Sequence, residues 1–185
     1  MELQRVIRAN VVHARALSRE IQALIMSAVD VRDHAQAPYS GYAVGAALLS
    51  DTERLYLGCN VERASYTQTT HAEQNAIDTM VATDGPQKIS SMAIIGAPRG
   101  TPRSFIRESH ITIPLTIPSD QRIDWRDICP SCGHCLQIIW ENCMGDPNVA
   151  LYHIFTNGMV ACTTIGDALP MRFGPSELGI NVRND

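Results

Sequence analysis

The chain is 185 residues long, 45% hydrophobic and 18% charged, with a formal net charge of −4. That length and balance fit a single folded domain spanning residues 1–185, and they exclude a disordered or fibrous chain. The acidic balance lacks the basic surface of phosphate-binding proteins, which argues against a nucleic-acid partner, and no apolar run approaches the ~18 residues of a membrane-spanning helix.

In chain order, the opening MELQRVIRAN carries charges where a signal peptide needs apolar residues. A cytoplasmic protein is therefore expected. A short helix is expected over residues 3–14. Residues 18–35 place Ile21, Leu24, Ile25, Ala28 and Val29 on one stripe at helical spacing, with Ser18 as N-cap and Pro38 closing the region. Tyr42–Leu49 and Arg54–Gly58 read as two strands joined by a turn at Ser50–Glu53. A second helix is expected from about Thr70 to Thr83, ending at Asp84-Gly85-Pro86. Lys88–Ala97 contains the run MAIIGA, which suits a strand buried on both faces.

Residues 98–128 break this rhythm, with several prolines and Arg99, Arg103, Arg107, Arg122 and Arg126. So long a stretch inside a small domain reads as an inserted loop, of a kind that is usually functional or mobile. Its arginines read as a solvated face with Glu108, Asp120, Asp124 and Asp127, or as a contact for an anionic substrate group. A helix from Cys132 to Asn142, capped by Ser131, and late strands at Val149–Phe155 and Met159–Thr163 complete the chain. Strands alternating with helices around a buried run give an α/β sandwich with a mixed central sheet.

The chemistry concentrates in His71-Ala72-Glu73 and in Ser131-Cys132-Gly133-His134-Cys135. One histidine and two cysteines supply three zinc ligands and leave the fourth tetrahedral position open, as catalytic zinc requires. Cys132 and Cys135 fall on one side of a helical turn, where the helix dipole favours thiolates. Glu73, two residues past His71, is placed to move a proton. Two other readings stay open. Thr70-x-x-Glu73 is also a capping box, in which Glu73 would satisfy only a backbone donor. Cys129 has ligand-like spacing to Cys132 and Cys135, which would suit a closed structural zinc site. Cys59, Cys143 and Cys162 read as buried small apolar residues. His34, His110, His134 and His153 read as surface or satisfied core residues.

The pattern H-x-E followed by C-x-x-C is the signature of zinc nucleobase deaminases. Together with PYSGYAVGAAL (38–48), GCNVE (58–62), ASY (64–66), QTTHAEQ (68–74) and CGHCLQ (132–137), it makes the chain resemble the cytidine deaminases that act on free nucleosides. The tail Leu169-Pro170…Phe173-Gly174-Pro175…Leu178 is similar to that of the larger, dimeric bacterial members. The resemblance implies a three-layer α/β/α fold, a Zn2+ cofactor on His71, Cys132 and Cys135, and Glu73 as the proton shuttle. It also implies that Asn60 and Glu62 hold the ribose 3′-hydroxyl, that Tyr42 packs on the substrate, and that Ala64 presents its backbone to the pyrimidine.

A homodimer or homotetramer is implied as well, with no membrane partner. Departures occur at Ser131 in place of proline, at Leu136 in place of arginine, and in the span from His71 to Cys132. The expected reaction is hydrolytic deamination of cytidine or 2′-deoxycytidine. The alternatives are a modified cytosine nucleoside, a cytosine nucleotide or nucleoside antibiotic as substrate, or a zinc-binding module without turnover.

Overall fold

A computed structural model describes residues 8–101, 128–155, 158–178 and 180. Six strands form one sheet in the order β1-β6-β5-β4-β2-β3. They are β1 (Asn10–His13), β2 (Tyr42–Ser50), β3 (Leu55–Cys59), β4 (Ile89–Pro98), β5 (Ala150–Ile154) and β6 (Met159–Thr164). β4 and β5 run parallel, and the other neighbours run antiparallel. The expected mixed sheet is present.

Three principal helices cover the sheet. α1 (Arg19–Arg32) starts at Ser18, whose hydroxyl accepts from the Ile21 N–H. Its Leu24, Ile25, Ala28 and Val29 pack with Ala47, Ala93, Ile95 and Ile154 on one face. α2 (Ala72–Asp84) and α3 (Gly133–Asn142) pack on the other, where Ala76, Ile77, Met80 and Ile139 meet Ala46, Leu48, Ile94 and Leu151. The alternation of β2 and β4 residues between these clusters is the period-two signature of a sheet sandwiched by helices. A short α4 (Ile165–Ala168) follows β6.

Residues 10–13 correct the expected N-terminal helix. They form a strand whose Val11 and Val12 lie opposite Ala161 and Val160. The β-branched pair fits a ladder better than a helix, and its partner strand lies far along the sequence. The inserted region lies outside the described residues except at its ends, as do His110 and every arginine of that stretch but Arg99.

Two helix N-termini reach the same end of the sheet, at the carboxyl ends of β4 and β5. α2 is set there by Gly58 of β3, where an added Cβ would stand 2.3 Å from the Ala72 carbonyl oxygen and the Ala76 nitrogen. Only a glycine lets helix and strand backbones approach so closely.

Candidate metal centre

His71 occupies the N-cap of α2 and Cys132 the N-cap of α3, both with extended backbones. Neither side chain makes a capping hydrogen bond to its own helix. Both turn to a shared point instead. The His71 Nδ1 lies 3.4 Å from the Cys132 Sγ and 3.3 Å from the Cys135 Sγ. The three ligand atoms lie within 4.8 Å of one another. Zn–N and Zn–S bonds of about 2.0 and 2.3 Å at a tetrahedral angle put nitrogen and sulfur about 3.5 Å apart, so the donors already stand near the spacing zinc needs.

The donor chemistry agrees with the spacing. Burial first, then the Glu73 carboxylate and Cys132, hold the Cys135 thiol far above its usual range. A fully buried thiol among acidic neighbours is poorly placed to ionise alone, whereas a divalent cation deprotonates its thiol ligands outright. Two thiolates and a neutral imidazole then balance the ion's charge.

Cys129 does not join the group, so among the described residues three side chains, rather than a closed set of four, could hold a metal ion. The capping readings are corrected too. Thr70 is not the cap of α2; its backbone pairs with Val61 through two hydrogen bonds of 2.9 and 3.0 Å. Ser131 does not cap α3, because Cys132 takes that place, and the Ser131 Oγ is buried with no partner among the described residues. Glu73 sits in the first turn of α2 and is only 5% exposed. Its carboxylate acts electrostatically on Cys135, Cys129 and His153.

The residues expected to hold a sugar lie along the start of β2. Asn60 is 9% exposed; its Oδ1 accepts from the Val44 N–H at 2.8 Å and its Nδ2 donates to the Tyr42 carbonyl at 3.0 Å. Glu62 is not the solvated surface charge that an isolated glutamate suggests. It is 8% exposed, and its Oε2 accepts from the Tyr39 and Ser40 N–H groups at 2.9 and 3.2 Å. These hydrogen bonds, with the Ser40 side chain foremost, hold its carboxyl below the usual range. Ala64 lies exposed on the loop closed by the Val61–Thr70 pair, which runs directly into His71.

Tyr42, the first residue of β2, is half-buried, and burial and the neighbouring Cys129 push its hydroxyl up to about 12. Cys129 and Tyr42 both rest on Gly96, where an added Cβ would lie 2.6 Å from the Cys129 Sγ and from the tyrosine ring. Sequence reading missed this junction, although a glycine inside the apolar run MAIIGA is the signal for such a close approach. Among the remaining thiols Cys143 is buried as expected, whereas Cys59 and Cys162 are only half-buried. His34 and His134 are exposed, and His153 is buried.

Fold and donor set together fit a hydrolytic protein of the metal-site class, in which three side chains could hold an ion beside a buried carboxylate. Residues 18–150 match the family model described as the cytidine and deoxycytidylate deaminase zinc-binding region. The chain belongs to that family. It is 29% identical to a cytidine deaminase of Sporosarcina psychrophila over 86% of this chain and 95% of the relative. A cytidine deaminase of Photobacterium profundum is 39% identical over 46% of this chain and 30% of the relative. The crystal structure of cytidine deaminase from Burkholderia pseudomallei superposes with a TM-score of 0.63 and 29% identity, covering 85% of this chain and all of that one.

Proposed function

We propose that the chain hydrolytically deaminates a cytosine nucleoside, cytidine or 2′-deoxycytidine, to the uracil nucleoside and ammonia. The observation that carries the reading is the convergence of His71, Cys132 and Cys135 beside the buried Glu73. His71, Cys132 and Cys135 would hold a zinc ion, which when bound would supply Lewis acidity and make water easier to deprotonate near neutral pH. Glu73 accepts a proton from water, delivers it to N3 of the pyrimidine, and carries a further proton to the departing amino group. Atoms balance as water plus the cytosine nucleoside giving the uracil nucleoside plus ammonia.

On this reading Glu62 uses one carboxylate oxygen to fix the Tyr39–Ser40 turn and offers the other to the sugar 3′-hydroxyl. Asn60 has a second amide hydrogen for the same hydroxyl. Tyr42 packs against the substrate, and Ala64 presents its backbone to the pyrimidine edge. The chain acts as one deaminase domain over residues 1–185, with an inserted loop at about 98–128. A homodimer or homotetramer is favoured by the exposed Met171, Phe173, Leu178 and Ile180 near the C-terminus. No helix among the described residues is long and apolar enough to cross a membrane. Unpaired cysteines fit a reducing, cytoplasmic setting and a role in pyrimidine salvage.

The test is an ultraviolet deamination assay over cytidine, 2′-deoxycytidine, cytidine monophosphate and free cytosine. Turnover of the two nucleosides above the other two is expected. Preference for the monophosphate would move the substrate to a nucleotide, and no turnover of any of the four would contradict the reading.

A further inference from the structure

The two helices that carry the metal donors pack on each other through apolar side chains, Ile77 and Met80 of α2 sharing one cluster with Ile139 of α3. At their N-termini, where His71 faces Cys132 and Cys135, a polar contact spans them. His134 lies between the two cysteines in the first turn of α3, and its Nε2 stands 3.3 Å from the Oε1 of Gln74. A carbonyl oxygen only accepts, so the Nε2–H donates. Gln74 belongs to the first turn of α2, three residues past His71.

The same His134 ring meets the His71 ring edge to face, with centroids 5.7 Å apart and planes at 74°. That is the geometry of a T-shaped ring pair. The contacts close a loop. His71 meets His134 by ring packing, His134 meets Gln74 by a hydrogen bond, and one turn of α2 joins Gln74 back to His71.

A ligating ring needs more than its donor atom to be fixed. The Nδ1 of His71 is the atom turned to the two thiols. The outer torsion of a histidine is broad, so the ring can swing about its attachment. In metal sites a hydrogen bond to the second ring nitrogen normally stops that motion. No protein group among the described residues bonds the His71 Nε2, and the ring contact made there is with His134. His134 fills no core, because it is exposed while the adjacent Cys135 is fully buried. Burial therefore forces neither of its contacts.

We infer that His134 is a positioning residue for the metal group: tethered by Gln74, its ring sets the plane of the His71 imidazole and keeps the N-termini of α2 and α3 in register. The inference rests on the zinc reading of His71, Cys132 and Cys135. It goes further in giving a role to a residue that stands outside the ligand group.

The test compares wild type with His134→Ala, which removes ring and tether, with Gln74→Ala, which removes the tether alone, and with the double variant. Zinc affinity is measured by competition with a chelator. Ligand geometry is read from the visible spectrum of the cobalt-substituted proteins, since zinc itself is spectroscopically silent. Partners that orient metal ligands are typically worth 10–100-fold in affinity or activity. His134→Ala is expected to lose roughly tenfold in zinc affinity, to shift its cobalt–thiolate absorption, and to lower kcat with KM for cytidine unchanged. Gln74→Ala is expected to lose less, and the double variant no more than His134→Ala, because the tether acts only through the ring.

Wild-type zinc affinity and cobalt spectrum in His134→Ala would overturn the inference, even with a lowered melting temperature, which a merely structural role would produce. Additive losses in the double variant would overturn it too. A raised KM with zinc affinity intact would make His134 a substrate contact instead. Should His134→Ala fail to fold, wild-type zinc affinity and spectrum in Gln74→Ala would still overturn the tether. Wild type that binds no zinc would overturn both the metal reading and this one. Wild type that binds zinc no more tightly than His134→Ala would overturn this one alone.

Discussion

The proposed metal end of the site and its proposed sugar end treat polar side chains in opposite ways. At the metal end, His71 and Cys132 sit at helix N-caps, where side chains ordinarily bond to the first turn, yet neither does so. They are left for a ligand. At the sugar end, Asn60 and Glu62 use their polar atoms on the backbone of Tyr39, Ser40, Tyr42 and Val44. The first arrangement stores binding capacity in uncommitted donors. The second builds a rigid edge first and offers only the remaining lone pair or hydrogen. Loss of a residue should therefore empty the metal end, whereas at the sugar end it should loosen the scaffold and the substrate contact together.

The largest expected effect breaks the metal end. His71→Ala or Cys135→Ser should remove zinc from the purified protein and reduce deamination to background, because three ligands leave no redundancy. Metal content by mass spectrometry checks this. Zinc retained in His71→Ala but lost in Cys129→Ser would reverse the assignment of ligands.

Next comes discrimination at the sugar end. A site built around a substrate hydroxyl can reject the analogue without it by roughly 10⁴-fold. The kcat/KM for cytidine should exceed that for its 3′-deoxy analogue by a factor approaching that size. A ratio near one would leave Asn60 and Glu62 with their backbone bonds as their whole role.

A smaller effect separates the scaffold role of Glu62 from its ligand role. Its carboxyl is held below the usual range by Ser40 and Tyr39, so the folded state favours the ionised form. The resulting stabilisation is present above the unfolded carboxyl pKa of about 4.3 and is lost as pH falls through the lower folded value. Glu62→Gln should lower the melting temperature at pH 7 and converge with wild type in acid. A difference that persists unchanged at low pH would show that charge is not what holds the turn.

The smallest effect lies outside both ends. Lys88 and Asp146 form a 2.8 Å pair with both side chains about one-third exposed. Lys88→Ala should cost less than about 1 kcal/mol in a denaturant melt and leave kcat unchanged.

The metal end was far more legible in the sequence than the sugar end. His71, Cys132 and Cys135, which the structure brings together, were legible through their spacing, since a ligand's chemistry and a helix's geometry are both local. The caps were misplaced by one residue for the same reason. Thr70 and Ser131 have the better intrinsic capping tendency, but the fold gives the cap positions to the residues that face the shared point. The partners of Glu62 lie more than twenty positions away, at Tyr39 and Ser40, and no local pattern announces them. The strand at residues 10–13 was hidden similarly, because its register depends on Met159–Cys162. Helix α1 was readable because a stripe and an N-cap at Ser18 are both short-range features.

In the proposed reaction the metal group works with Glu73 as its proton carrier. The most direct measurement is kcat for cytidine in Glu73→Gln and in wild type, at matched zinc content. The amide keeps the size of the side chain and removes its ability to carry a proton. The account predicts full zinc occupancy with kcat reduced by at least roughly 10²–10⁴-fold. A zinc-loaded Glu73→Gln protein that turns over cytidine at the wild-type rate would contradict it.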